Sequence, residues 1–283
     1  MQLGYGNSLI GQNRPRGASF VGALDAYAGG LVHLCCLPLR LLSSYEGPAF
    51  RMRVDTGGSP EYDVNFLADG TFDAAAVTAN AAGNNWFVVR VYDQSGHGRD
   101  LFQATTGAQP RGAVDGNGLA YGYAPGVGFS TTFLTSATGI ALALTDTTEW
   151  SVASSAGYAL DLGTIRNAAL TERRCINYSG SIQTVLPGAG TDTMLAGTAT
   201  GLYTTGCQVR AAGNRLSNGL AAATGTKASA AFTIDQVGFG FGAGGPSWSQ
   251  NSRFYARGLW SSDLGNTAVD DLHTLVKPLF HTL

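Results

Sequence analysis

The chain has 283 residues, of which 44% are hydrophobic, 13% are charged and 40 are glycine, which fits one large, loop-rich and sheet-rich globular domain. A formal net charge of −2 excludes a non-specific nucleic-acid binder, which needs a clustered excess of basic residues. The longest apolar run, Leu31 to Leu42, holds His33, Pro38 and Arg40 and is too short to span a bilayer.

The first residues, Met1 to Asn7, lack the basic start and apolar run of a secretory signal, so export by that route is not expected. Residues 1–21 combine Gly, Asn, Gln, Arg14, Pro15 and Arg16 with isolated apolar residues. They read as an arm that a partner must order, with Arg14 and Arg16 as its attachment residues, and 22–283 read as a single domain. Between Leu24 and Tyr45, Leu31, Leu34, Leu37, Leu41 and Leu42 recur at helical spacing broken by Gly29, Gly30 and Pro38. This predicts one or two short helices, the second over about 38–44 with Pro38 in its first turn. Tyr45-Glu46-Gly47-Pro48 then turns into a strand over about 49–54, where Arg51 and Arg53 alternate with Phe50 and Met52. A hairpin-like turn over 55–60 and a short helix over 72–81 follow.

Trp86 to Tyr92 is rich in β-branched and aromatic residues and reads as a central strand. Strict alternation puts Phe87, Val89 and Val91 on one face and Trp86, Val88, Arg90 and Tyr92 on the other. The chain turns through Gln94-Ser95-Gly96-His97-Gly98, where two glycines can take positive φ and the Asp93 and Ser95 side chains can bond loop amides. Asp93, Ser95, His97 and Asp100 are also candidate contacts for a glycan or for Ca²⁺, since carboxylates, a hydroxyl and loop carbonyls are hard oxygen ligands. No other cofactor is expected. His97 lacks a visible nucleophile to serve as general base.

Short candidate strands near 101–104, 109–113, 119–123, 128–134, 149–155, 173–178, 182–185 and 201–211 recur at the spacing of a sandwich or barrel, with Gly213-Asn214 and Asn218-Gly219 supplying hairpin turns. Final strands are expected over 232–241 and 253–260, then a helix over about 266–276 with Pro278 beyond its end. Cys35, Cys36, Cys175 and Cys207 show no paired metal spacing and read as reduced thiols. Trp248, Tyr255, Trp260, Tyr121 and Tyr123 suit either a sugar-stacking platform or the core, with Trp248 as the glycan candidate.

The motifs Tyr45-Glu46-Gly47-Pro48, Asp73-Ala74-Ala75-Ala76 and Tyr92-Asp93-Gln94-Ser95-Gly96-His97-Gly98-Arg99-Asp100-Leu101 resemble, in that order, the N-terminal part of the arabinofuranosidase B catalytic domain. They are similar also to LamG/concanavalin-like domains of bacteriophage virion proteins. The resemblance covers roughly residues 23–112 and implies an all-β fold: an antiparallel β-sandwich of the concanavalin A/LamG type with a few short helices. The family's catalytic motifs are not matched. Where it has a Cys-Cys pair and a Gly-His-Met-Glu nucleophile stretch, this chain reads Tyr158 to Gly163 and on to Glu172; where it has an acid Asp, this chain has Pro246 before Phe254-Tyr255-Ala256-Arg257-Gly258. Glu172 is the nearest substitute carboxylate and Asp161 a weaker one.

These readings lead to the expectation of a non-enzymatic virion structural protein, a decoration or tail or head fibre-type component with no catalytic residues, made in the host cytoplasm. The arm would grip other virion proteins, copies would form a homo-oligomer, and the sandwich would face outward toward cell-surface glycans, with no nucleic-acid partner and no membrane insertion. A carbohydrate-binding module and an arabinofuranosidase-like glycoside hydrolase are the alternatives.

Overall fold

The computed structural model describes residues 20–115, 118–122, 134–136, 142–144, 146–155, 160–166, 173–178, 182–186, 190–192, 201–210, 213–219, 221–225, 232–234, 236–239, 241–242, 245–246 and 253–281. In chain order the strands are β1 (Leu31–Cys36), β2 (Phe50–Val54), β3 (Glu61–Val64), β4 (Trp86–Val91), β5 (Leu101–Phe102), β6 (Arg111–Asp115), β7 (Gly118–Gly122), β8 (Leu134–Thr135), β9 (Leu142–Leu144), β10 (Thr147–Ser155) and β11 (Leu160–Arg166). They continue as β12 (Arg173–Tyr178), β13 (Ile182–Leu186), β14 (Gly190–Asp192), β15 (Gly201–Val209), β16 (Asn214–Asn218), β17 (Ala221–Gly225), β18 (Phe232–Ile234), β19 (Gln236–Phe239), β20 (Phe241–Gly242), β21 (Gly245–Pro246) and β22 (Arg253–Trp260). Helix α1 spans Ala74–Ala81, and α2 (Asn266–Asp271) runs through a π turn, Leu272–Val276, into α3 (Lys277–His281).

The strands form an antiparallel β-sandwich. One layer runs β1-β22-β10-β15-β16-β17 and the other β3-β2-β4-β5-β8-β19-β11-β12-β13-β14, with β6 and β7 joining β4 to β22 at the corner. Phe50, Met52, Val88, Val91 and Leu134 of the second layer meet Cys35, Cys207, Leu216, Phe254 and Leu259 of the first in the core between them. A second core lies on the outer side of the first layer, where Trp150, Val152, Tyr255 and Trp260 pack against Leu272, Val276 and Phe280 of the terminal helix.

That second core explains the main departure from expectation. The run beginning at Leu31 is not helical: it is strand β1, with all six residues buried. A strand covered on both faces carries apolar residues at every position, so its spacing mimics a helix. No helix forms over 38–44 either, because the backbone bonds elsewhere: Leu37 N donates to Tyr255 O, Arg40 N to Gly70 O and Leu41 N to the Gln94 side chain.

Strand β4 is central as expected, but its faces switch midway. Trp86, Val88 and Val91 are buried, whereas Phe87, Val89 and Arg90 are half-buried. The register against β2 slips between Arg51–Arg90 and Met52–Val88, leaving Val89 as the extra residue of a bulge. The expected helix over 72–81 is α1, capped by Asp73, whose carboxylate accepts the Ala76 N–H. The terminal helix extends past 276, and Pro278 lies inside α3 rather than beyond it. A proline fits there because the π turn ends just ahead of it, so Pro278 takes a first-turn position where its missing N–H costs little.

Candidate functional site

The loop after β4 is built around the Asp93 carboxylate. Its Oδ1 accepts the N–H groups of Leu34 and Ser95, and its Oδ2 accepts the Ser95 hydroxyl and the Arg99 N–H, all at 2.8–2.9 Å. Gly96 and Gly98 take positive φ of 82° and 67°, as the tight path requires. Next to it the Gln94 side chain accepts Leu41 N–H and donates to Cys36 O and Leu39 O, so two adjacent side chains fasten β1 and its continuation to the loop. Asp100 accepts Asp93 N–H on one oxygen and Arg90 on the other, each at 2.9 Å. Burial opposes ionisation of Asp93, but His33 and its hydrogen-bond donors outweigh burial and hold its pKa below the ordinary value.

The structure thus joins Asp93, Ser95 and Asp100 in one network, while His97 projects from it, exposed, with Nε2 3.1 Å from Leu31 O. The carboxylate oxygens are engaged by N–H and O–H donors. Among the described residues no group of three or more His, Cys, Asp or Glu converges in a way that would hold a metal ion such as Ca²⁺. Chemically the loop is a rigid corner. Its exposed tip, Gly96 to Gly98, is what it offers to a ligand.

Behind the corner, between the layers, lies a cluster that the residue pattern did not single out. Arg257 stands between Cys35 and Ser151 in the cross-strand register of β1, β22 and β10. It donates to Gly238 O of the opposite layer at 2.6 Å and to Glu149 Oε2 at 3.2 Å, both side chains being 1% exposed. The bond to Gly238 ties the two layers together, and the ion pair with Glu149, within the first layer, is costly to break because removal of either charge leaves the other buried. His33 is fully buried, and among the described residues neither ring nitrogen has a hydrogen-bond partner. Burial lowers its pKa to about 4, Arg257 and Arg99 add to the lowering, and Asp93 opposes it. The legible signal was parity: Glu149 and Arg257 are charged residues at inward positions of alternating strands.

A second buried histidine, His273 of the π turn, meets Thr204 Oγ1 through Nδ1 at 2.6 Å and Ser217 Oγ through Nε2 at 2.8 Å. Ser217 Oγ donates to Gly206 O, which leaves it to accept from His273 Nε2–H and Thr204 to donate to Nδ1. Although serine and histidine are in contact, Ser217 is fully buried and offers no nucleophile to a substrate. Cys35, Cys36 and Cys207 are buried cysteines, and the Cys175 side chain lies outside the described residues. Tyr255 and Trp260 are core residues, at 1% and 0% exposure, so they form no sugar platform. Trp248, Glu172, Arg14 and Arg16 lie outside the described residues, as do the Asp161 side chain and the surroundings of Pro246.

No protein-family model and no curated protein matches the chain. Solved structures do. A mutant GH54 α-L-arabinofuranosidase soaked with 4-nitrophenyl α-L-arabinofuranoside is similar over 93% of this chain, with a TM-score of 0.66 and 16% identity. An arabinofuranosidase complexed with arabinofuranosyl-α-1,2-xylobiose is similar over 93%, with a TM-score of 0.67 and 16% identity. A GH54 α-L-arabinofuranosidase soaked with a cyclic sulfate inhibitor gives 0.66 and 18%. The chain spans 65% of the length of each. At this identity the likeness establishes the fold, a β-sandwich that these enzymes share. It corrects the expectation that the chain is not an enzyme. That expectation rested on unmatched motifs, whereas the fold that carries them is shared with these enzymes over 93% of the chain.

Proposed function

We propose that the chain is an arabinofuranosidase-like glycoside hydrolase that removes α-L-arabinofuranosyl groups from a glycan. The observation that supports this is the similarity over 93% of the chain to arabinofuranosidases holding an arabinofuranoside and an arabinofuranosyl oligosaccharide. The reaction needs two carboxyl groups about 5 Å apart, one attacking the anomeric carbon and one protonating the leaving oxygen. Glu172 is the proposed nucleophile and Asp161 the substitute carboxylate, since Pro246 has no proton to give. The Asp93 corner fastens β1 to the loop after β4 and takes no part in the bond change.

Release of 4-nitrophenol from 4-nitrophenyl α-L-arabinofuranoside tests this reading. We expect turnover by the purified chain and its loss in Glu172→Gln with binding retained. Binding without turnover would identify a carbohydrate-binding module instead, and neither would sink both.

A place on a bacteriophage particle is a separate reading, favoured by the order of the motifs between Tyr45 and Leu101 and by the polar composition of residues 1–21. Mass spectrometry of purified particles decides it. A fixed copy ratio to the major capsid protein supports a virion component, and absence from particles refutes one.

A further inference from the structure

Beside the outer core, a groove runs between the start of the described chain and the terminal helix. Phe20, Val21, Leu39, Leu41, Leu275 and Leu279 line a cavity of about 260 Å³ there. An apolar cavity of about 150 Å³ already admits benzene, so this one has room for two branched aliphatic side chains. The groove is open: Val21 is 64% and Leu275 58% exposed, and both line it. Large apolar side chains that lie exposed together, rather than scattered singly, mark a docking surface. Phe20, the first described residue, is fixed at the rim. Its ring lies against Gly70, leaving no room there for a Cβ, and the Arg40 guanidinium carbon stands 3.9 Å from the ring centre. Asp69 also lines the groove. One of its carboxylate oxygens accepts the Thr71 N–H at 2.9 Å and the Thr71 hydroxyl at 2.6 Å, and the other has no partner among the described residues.

We infer that this groove is the docking site of the chain's own first 19 residues, with Leu9 and Ile10 seated in the cavity. Leu9-Ile10 is the one place in that segment where two large aliphatic residues adjoin. Ile10 lies ten residues before Phe20, a stretch of about 35 Å at full extension, so it can return to a cavity that Phe20 itself lines. Gly11, Pro15 and Gly17 supply turn residues on the way. Residues 1–19 include Arg14 and Arg16 and no acid, which complements the open oxygen of Asp69. Arg40 opposes this little, because its guanidinium is turned to the Phe20 ring and to Tyr45 O, at 3.4 Å. The tether decides which occupant the groove takes. A segment joined by so short a loop meets the groove at an effective concentration in the millimolar range, above that of a second copy's arm or a separate ligand. The polar arm thus finds the partner that orders it in its own domain.

Limited trypsin digestion of the full chain, read by mass spectrometry as the fragment that starts at Gly17, tests this independently of any activity. Cleavage after Arg16 proceeds from the undocked arm, so its rate follows the undocked fraction. Leu9→Asp with Ile10→Asp is expected to speed it about tenfold, and Leu275→Asp, on the groove side, by a similar factor. Combining the arm and groove changes should add little to either alone, because each releases the same contact. Dilution of the chain by about a hundredfold should leave the rate per molecule unchanged, since the contact is within one chain. Circular dichroism confirms that each variant folds, and Val21→Asp replaces Leu275→Asp if that one does not, with the same acceleration expected. Protection that fades on dilution would seat the arm in another copy and overturn the inference. So would cleavage as fast in the unmodified chain as in the Leu9/Ile10 variant, a groove change without effect, or arm and groove changes whose effects multiply in full.

Discussion

His33 and His273 are 0% and 4% exposed, and burial lowers the pKa of each to about 4 from an ordinary 6.5. Within that interval the unfolded chain takes up protons that the folded chain refuses, so stability falls as pH drops from about 6.5 to about 4. Each histidine contributes about 3 kcal/mol to that fall. Asp93 acts in a separate window. Its folded pKa is held below 3.8, so its contribution is intact above that value and is lost only on further acidification. Urea midpoints measured between pH 7 and pH 4 should therefore decline steeply, and His33→Leu, which removes one proton site without opening a cavity, should remove about half of the slope. An unchanged slope in His33→Leu would show that the ring is not titrated as its burial dictates.

Among the elements, the Asp93 corner carries the clearest structural task, because one carboxylate holds donors from β1 and from both ends of the loop. Asp93→Asn keeps the shape but turns an acceptor into an amide that faces donors. It should cost about 2 kcal/mol and speed hydrogen exchange at the Leu34 and Arg99 amides. Exchange unchanged at both would mean that the corner is held by its other contacts. This corner was legible in the residues alone, since Asp and Ser before two glycines have one efficient way to turn. So was β22, whose bounds match the expected 253–260. What was not legible depended on partners distant in the chain. The bulge at Val89 exists only against β2, β1 looks helical until the terminal helix covers its outer face, and Pro278 is admitted by a π turn that no local spacing announces. The Arg257–Glu149 pair spans 108 positions, so neither charge is explained without the other.

For the molecule as a whole, the first layer of the sandwich needs a cover. Leu272, Val276 and Phe280 are fully buried against Leu34, Trp150, Val152, Tyr255 and Trp260, so the terminal helix closes a second core rather than decorating a finished domain. Strands β22 and β10 could not carry tryptophans outward at 260 and 150 without it, because exposed aromatic patches of that size invite association. Leu272→Ala should then cost about 2–5 kcal/mol, the range for removing a fully buried leucine, whereas Leu275→Ala, at 58% exposure on the same turn, should leave stability within about 0.5 kcal/mol. Removing residues 266–283 should go further, producing a chain that binds hydrophobic dye and aggregates while its strands persist by circular dichroism. If the shortened chain instead stayed monodisperse and unfolded at the same urea concentration as the full one, the outer core would be dispensable. The two-layer core between the sheets would then suffice to stabilise the sandwich.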